Sequence, residues 1–227
     1  MLGAIDAFLA ERLGADLFPP EERFLRGGAS EVRRLGLALE ASPALAGWIR
    51  EERLDALFLH RFRARPGEVP ADLPLVGFHL PFDERLTVGW NPDLADALGL
   101  LAPEPLGARA GRPLGMLGSL EPQPFERFRA GVEKLFDGQD EAVRPAGETV
   151  DRVAVVGAMN DALVREAADR GAQLYVTGQA RPSARAALAD TGLGLVAVGH
   201  RRSELFGLSL LARTLWEQWS ELVVVRL

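Results

Sequence analysis

Three histidines, His60, His79 and His200, are the only imidazoles in the chain. Each follows an apolar run that reads as a β-strand: LDALFL, LPLVGF and GLVAVG. Two of them carry a carboxylate four residues on, in His79-Leu-Pro-Phe-Asp83 and His200-Arg-Arg-Ser-Glu204. Neutral imidazole with carboxylate is the donor mixture that zinc, manganese and iron take. One such pair is weak evidence, because it recurs on helix surfaces; two of them after strands carry more weight. Ligands of open α/β sheets bind beyond the carboxyl ends of the strands, so the three imidazoles are candidates for one cation-binding crevice. Three unrelated loop histidines are the alternative.

Arginines accompany two of these histidines. Arg61, Arg63 and Arg65 follow His60, and Arg201 and Arg202 follow His200. Guanidinium groups pair with phosphate and carboxylate, so these runs make a local anion site, or simply a solvated basic loop.

The elements that must hold these side chains alternate along the chain. Leu2–Leu13 has helical spacing, Val32–Leu39 is strand-like, and Pro43–Leu54 reads as a helix with Ser42 as N-cap and Pro43 at its first position. Strands are expected at Leu54–His60 and Leu73–His79, then a helix opened by Asn91-Pro92-Asp93 and closed by Gly99. Leu100–Arg112, rich in Gly, Pro and Ala, is expected to be a passage between two lobes, and Gly138–Thr149 has no periodicity. Between them lie a strand at Leu114–Leu120 and a helix at Pro124–Phe136. From Arg152 onward strands (152–156, 173–177, 193–198, 222–226) alternate with helices (160–170, 182–190, 203–219). That rhythm predicts an α/β fold with partly parallel sheets.

Other candidates carry less chemistry. Gly157-Ala-Met-Asn-Asp161 lacks the glycines and lysine of a phosphate loop and reads as a strand-to-helix turn capped by Asn160. Ser203 reads as a helix N-cap, because no nucleophile-elbow glycines surround it. Trp216 and Trp219, with Leu208, Leu211 and Leu215, form a stripe expected in the core or at a subunit contact.

At 227 residues, 48% hydrophobic and 26% charged, the composition is that of a globular protein. No apolar stretch approaches the roughly 18–20 residues of a membrane span. The absence of cysteine excludes disulfides, thiolate ligands and cysteine nucleophiles. A net charge of −6 argues against non-specific nucleic-acid binding, and Lys134 is the only lysine. The first residues read as a helix and not a signal peptide, so a cytoplasmic location is expected.

With these motifs in place, the chain resembles the Nif-three-like dinuclear metal-binding family, whose members are often labelled GTP cyclohydrolase I type 2 homologues. The likeness covers most of the chain. It rests on His79 with Asp83, on Asn91-Pro-Asp-Leu-Ala-Asp-Ala-Leu-Gly-Leu100, and on Gly199-His200-Arg-Arg-Ser203-Glu204, with Val153–Gly157 and Tyr175-Val-Thr-Gly178 in the expected order. The sequence departs from the family at three places: His60-Arg61 stands where two adjacent histidines are usual, Gln179 where an acid is common, and Pro182 and Ser183 where histidines follow.

The resemblance implies two interlocked α/β lobes with no inserted third domain: residues 1–100 plus 203–227, and 101–202, with a metal cleft between them. It implies His60, Asp83, His200 and Glu204 as metal ligands and His79 as an outer-shell orienting group or base, with Glu204 and His79 serving catalysis. Arg61, Arg63 and Arg201 would bind an anion. One divalent zinc, manganese or iron ion per chain is expected rather than two, since Arg61 cannot ligate and puts a fixed charge where a second ion would sit. The implied function is a metal-dependent hydrolase acting on a small phosphorylated or nucleotide-like substrate, as a homo-oligomer, commonly hexameric, without membrane or nucleic acid. The alternative is a non-catalytic scaffold or regulator with a reduced metal site.

Overall fold

The computed structural model describes residues 1–27 and 31–227. The chain forms two compact units, Met1–Phe82 with Gly207–Leu227, and Asp83–Phe206; both borders fall within helices. Each unit is an α/β structure built on its own sheet, as the alternating pattern predicts.

The first unit opens with α1 (Leu2–Leu13), whose buried Leu2, Ile5, Leu9 and Leu13 recur every three to four residues, and Gly14 ends it in the left-handed conformation at φ 60°. Then come β1 (Arg23–Arg26), β2 (Arg34–Glu40), α2 (Leu45–Glu51), β3 (Ala56–Arg61) and β4 (Leu75–Phe78). The sheet order is β1-β4-β3-β2 and then the last strand, Val223–Arg226; only β1 runs antiparallel. Leu57 and Leu59 of β3, Leu75 of β4 and Ala38 of β2 share a core with Leu45 and Ile49 of α2. The parallel arrangement sends the ends of β2, β3 and β4 to one edge, where Glu40, His60, Arg61 and His79 lie.

The border helix α3 (Leu80–Leu86) leads into α4 (Pro92–Leu98). Asn91 caps α4 through its side-chain oxygen on Leu94 N at 3.2 Å, and Gly99 closes it at φ 71°. The second sheet follows from β5 (Leu101–Arg109), β6 (Arg112–Pro124), α5 (Phe125–Phe136), β7 (Glu141–Val143), β8 (Thr149–Val156), α6 (Asp161–Asp169), β9 (Leu174–Thr177), α7 (Arg185–Thr191), β10 (Gly194–Ala197) and α8 (His200–Gln218), and β11 (Val223–Arg226) returns to the first sheet. Its order is β5-β6-β8-β9-β10-β7, with β8, β9 and β10 parallel. Alternate residues pack on opposite faces: Val153, Leu174 and Val176 with Phe128 and Val132 of α5, and Ala154 and Tyr175 with Leu163 of α6 and Leu188 of α7.

Four expectations are corrected. Leu100–Arg112 is not a passage: Leu101–Arg109 is an edge strand paired with β6, where Pro103 and Pro105 are tolerated because an edge needs hydrogen bonds on one side only. Gly138–Thr149 contains β7. Ser42 does not cap α2, which begins at Leu45 without a side-chain cap; Ser42 contributes only its carbonyl, to Leu45 N at 3.0 Å. The last long helix starts at His200, three residues early, because Gly199 at φ 97° turns the chain at once and its carbonyl takes the Ser203 N–H at 3.0 Å. Ser203 is thus inside the helix, its hydroxyl donating to His200 O at 2.7 Å. Along α8, Leu208, Leu211 and Leu215 are buried as expected, but Trp216 is 60% exposed; it lies one residue, about 100°, off the buried stripe. Trp219 packs edge-on against Phe8 at 5.2 Å.

Among the described residues no helix is long and apolar enough to cross a membrane.

Candidate metal centre

The ends of adjacent parallel strands β3 and β4 carry His60 and His79. His60 is fully buried, and its Nδ1 lies 3.1 Å from the Phe78 carbonyl across the strand pair. A carbonyl only accepts, so Nδ1 carries the proton and Nε2 keeps the lone pair. The ring packs tilted against Phe82 at 4.5 Å and lies 5.2 Å from the His79 ring. Phe82, itself buried against Phe58 at 5.8 Å, forms an apolar wall that holds the imidazole in place.

His79 leaves β4 just before α3, and Asp83 follows one helical turn later, on the same side. Pro81 is accommodated because it falls in the first turn, where its missing N–H has no intrahelical partner. Among the described residues, His60, His79 and Asp83 are the one group of three His, Asp or Glu side chains whose donor atoms all lie within 4.8 Å of one another. Two imidazoles and one carboxylate are donor types suited to zinc, manganese or iron. The donor set therefore fits a divalent cation. His79, expected to stand behind the ligands, is one of the three side chains of this group.

A second feature of His79 was not foreseen. Glu22, at the end of a short 3₁₀ turn (Pro20–Glu22), accepts from His79 Nδ1 at 2.8 Å and from Leu80 N at 3.2 Å through Oε2, while its carbonyl accepts from His79 N at 2.9 Å. The register of β1 on β4, Arg23 opposite Phe78, puts Glu22 there. No spacing in the sequence points to it, because the contact joins residues 57 positions apart.

A cavity of about 430 Å³ opens beside His79, lined by Glu21, Glu22, Glu40, Ala41, Arg61, Phe62, Arg63 and His79. Two of the three arginines expected to bind an anion, Arg61 and Arg63, thus reach one pocket. They share it with three carboxylates, and Arg61 Nη1 lies 3.5 Å from Glu40 Oε2, its register partner on β2.

In the second unit, His200 opens α8 with its side chain 58% exposed, and its Nε2 lies 3.1 Å from Oε1 of Glu204, whose side chain is 2% exposed. The i, i+4 spacing read from the sequence is therefore a real contact. The preceding strand end, Thr177-Gly178, packs against the same turn: a Cβ at Gly178 would lie 3.3 Å from Ser203 Oγ and 3.4 Å from Val88 Cγ2. Arg201 is exposed. Arg202 is structural, bound to Asp140 at 2.6 Å and to the carbonyls of Asp137 and Val198 at 3.2 and 3.3 Å. Gly157-Ala-Met-Asn-Asp161 is the expected turn, with Asn160 accepting from Leu163 N at 2.9 Å.

Comparison with known proteins adds a frame to this geometry. The sequence profile of the Duf34/NIF3 (NGG1p interacting factor 3) family matches residues 69–226. A protein of Pseudomonas aeruginosa named GTP cyclohydrolase 1 type 2 homolog is 27% identical over 209 residues, 85% of this chain and 82% of that protein. One of the same name from Neisseria meningitidis is 27% identical over 173 residues, 76% of this chain and 64% of its own length. The solved structure of protein ybgI, of unknown function, superposes with a TM-score of 0.77 at 23% identity, covering 99% of this chain and 96% of that one.

Proposed function

The chain belongs to the Duf34/NIF3 family, and on that premise we propose that it binds a divalent metal ion and acts as a metal-dependent hydrolase on a small phosphorylated or nucleotide-like substrate. The observation that supports this most directly is the convergence of His60, His79 and Asp83 within 4.8 Å, with both imidazoles held by Nδ1 contacts that leave Nε2 for coordination. His200 and Glu204 complete the proposed ligand set. The chemistry such an ion supplies is Lewis acidity, which acidifies water and polarises a phosphoryl or carbonyl oxygen.

The rest falls to the chain's own side chains. Phe82 and the buried flank of His60 exclude water from one side, which strengthens every charge interaction there. Arg61 and Arg63 orient the anionic part of a substrate in the neighbouring cavity, and Arg201 offers a further exposed guanidinium. Glu204 takes up a proton and His79 holds the donor geometry around the site. The reading includes a homo-oligomer, hexameric by family likeness, working in the cytoplasm. Arg61, in place of a usual ligand, favours one ion per chain.

The test is to load the full-length protein with Zn²⁺, Mn²⁺ or Fe²⁺, measure equivalents bound, and assay phosphomonoesters and nucleotides. About one equivalent per chain, and hydrolysis that Glu204→Ala abolishes without unfolding the protein, are expected. Metal binding without turnover of any substrate leaves the second reading, a scaffold or regulator, which the non-ligating Arg61 favours.

A further inference from the structure

Glu22 has no place in the ligand set, yet it makes three contacts with the segment that carries His79. We infer that Glu22 is a positioning residue: it holds the His79 imidazole as the Nδ1–H tautomer, so that Nε2 presents its lone pair for coordination. The geometry is independent of any metal. An ionised carboxylate only accepts hydrogen bonds, and Oε2 already takes the Leu80 N–H at 3.2 Å, so the 2.8 Å contact to Nδ1 requires the ring to donate. The backbone bond from His79 N to Glu22 O at 2.9 Å, continuing the β1–β4 ladder, fixes the two residues relative to each other before either side chain is considered.

His60 and His79 are therefore oriented by different means. His60 donates to a neutral carbonyl inside the sheet, whereas His79, 39% exposed, donates to a charged carboxylate supplied by the turn that precedes an edge strand. A carboxylate behind an imidazole raises the basicity of the far nitrogen and locks the ring, and losing such a partner costs roughly 10- to 100-fold in metal affinity. For the more exposed of these two histidines, the tautomer is set by the charged carboxylate of Glu22.

The consequence for metal affinity rests on the proposed function; the tautomer does not, and the experiment separates them. With three histidines in the chain, long-range ¹H–¹⁵N correlation spectra of the metal-free protein resolve each ring, and His79→Ala assigns the signal. His79 is expected in the Nδ1–H form in the wild type and in Glu22→Gln, whose amide oxygen still accepts, and predominantly in the Nε2–H form in Glu22→Ala. Calorimetric titration with Zn²⁺ alone is expected to show a 10- to 100-fold loss for Glu22→Ala and a smaller loss for Glu22→Gln. A wild-type His79 in the Nε2–H form overturns the inference, as does an unchanged zinc affinity in a folded Glu22→Ala. Should Glu22→Ala fail to fold, the wild-type tautomer and the Glu22→Gln titration decide it. A wild type that binds no Zn²⁺ yet shows Nδ1–H at His79 refutes the metal reading and leaves Glu22 in its orienting role.

Discussion

At the scale of single residues, the site depends on what each ring nitrogen and carboxylate is already bonded to. His60 and His79 both have Nδ1 committed, one to Phe78 O and one to Glu22, so both offer the same nitrogen. In the proposed function Arg61 is the residue that limits the number of ions. It sits next to His60, lines the cavity beside His79, and reaches Glu40 at 3.5 Å. A guanidinium cannot coordinate and repels a second cation at short range. Replacing it restores an imidazole donor, so Arg61→His is expected to raise bound Zn²⁺ from about one to about two equivalents per chain, read by elemental analysis of the dialysed protein. An unchanged stoichiometry would show that Arg61 is not what limits occupancy.

At the scale of elements, the helix carrying Asp83 is fastened by a buried ion pair. Glu84, the next residue, accepts from Arg112 Nε at 3.0 Å and Nη2 at 3.2 Å, with the side chains 10% and 5% exposed. This two-pronged pair ties α3 to the first residue of β6. Removing one partner strands a buried charge, which typically costs about 3–5 kcal/mol, whereas replacing both with apolar groups is far better tolerated. Arg112→Met is therefore expected to lower the unfolding free energy by about that much in urea denaturation, with Glu84→Leu/Arg112→Met recovering most of it. Because Asp83 adjoins Glu84, Arg112→Met is also expected to weaken zinc binding. The tightness at Gly178, where a Cβ would press on Ser203 Oγ, similarly positions the turn that bears His200 and Glu204.

At the scale of the whole molecule, the chain leaves its first unit after Phe82 and re-enters it at Gly207, so the first sheet is completed by the last strand. Val223–Arg226 pairs with β2 at the sheet edge, and Trp216 on the preceding helix is exposed. Aromatic residues left in water are enriched at subunit contacts. A homo-oligomer, hexameric by family likeness, is the expected state, to be read by light scattering coupled to size exclusion; Trp216→Glu is expected to lower the assembly mass if that residue lies in a contact. A monomeric wild type at micromolar concentration would overturn the oligomer.

The elements whose information is local were legible in the sequence. Asn91 with Pro92 and Gly99 marks both ends of α4, and Asn160 marks the start of α6, because caps act over three or four residues. The apolar runs behind His60 and His79 are buried strands, and the two H-x-x-x-acid pairs are one helical turn apart, a matter of helix geometry alone. Longer-range pairing decided the remainder. β1 is four residues with arginines at both ends and becomes a strand only because β4 lies beside it. β5 carries two prolines and a glycine and is held by β6. Glu22 meets His79 beside the unforeseen β1–β4 pair. Residue types and short spacings thus determined which groups can bind a cation, while hydrogen bonding between distant segments decided that His60 and His79 meet and which nitrogen each of the two presents.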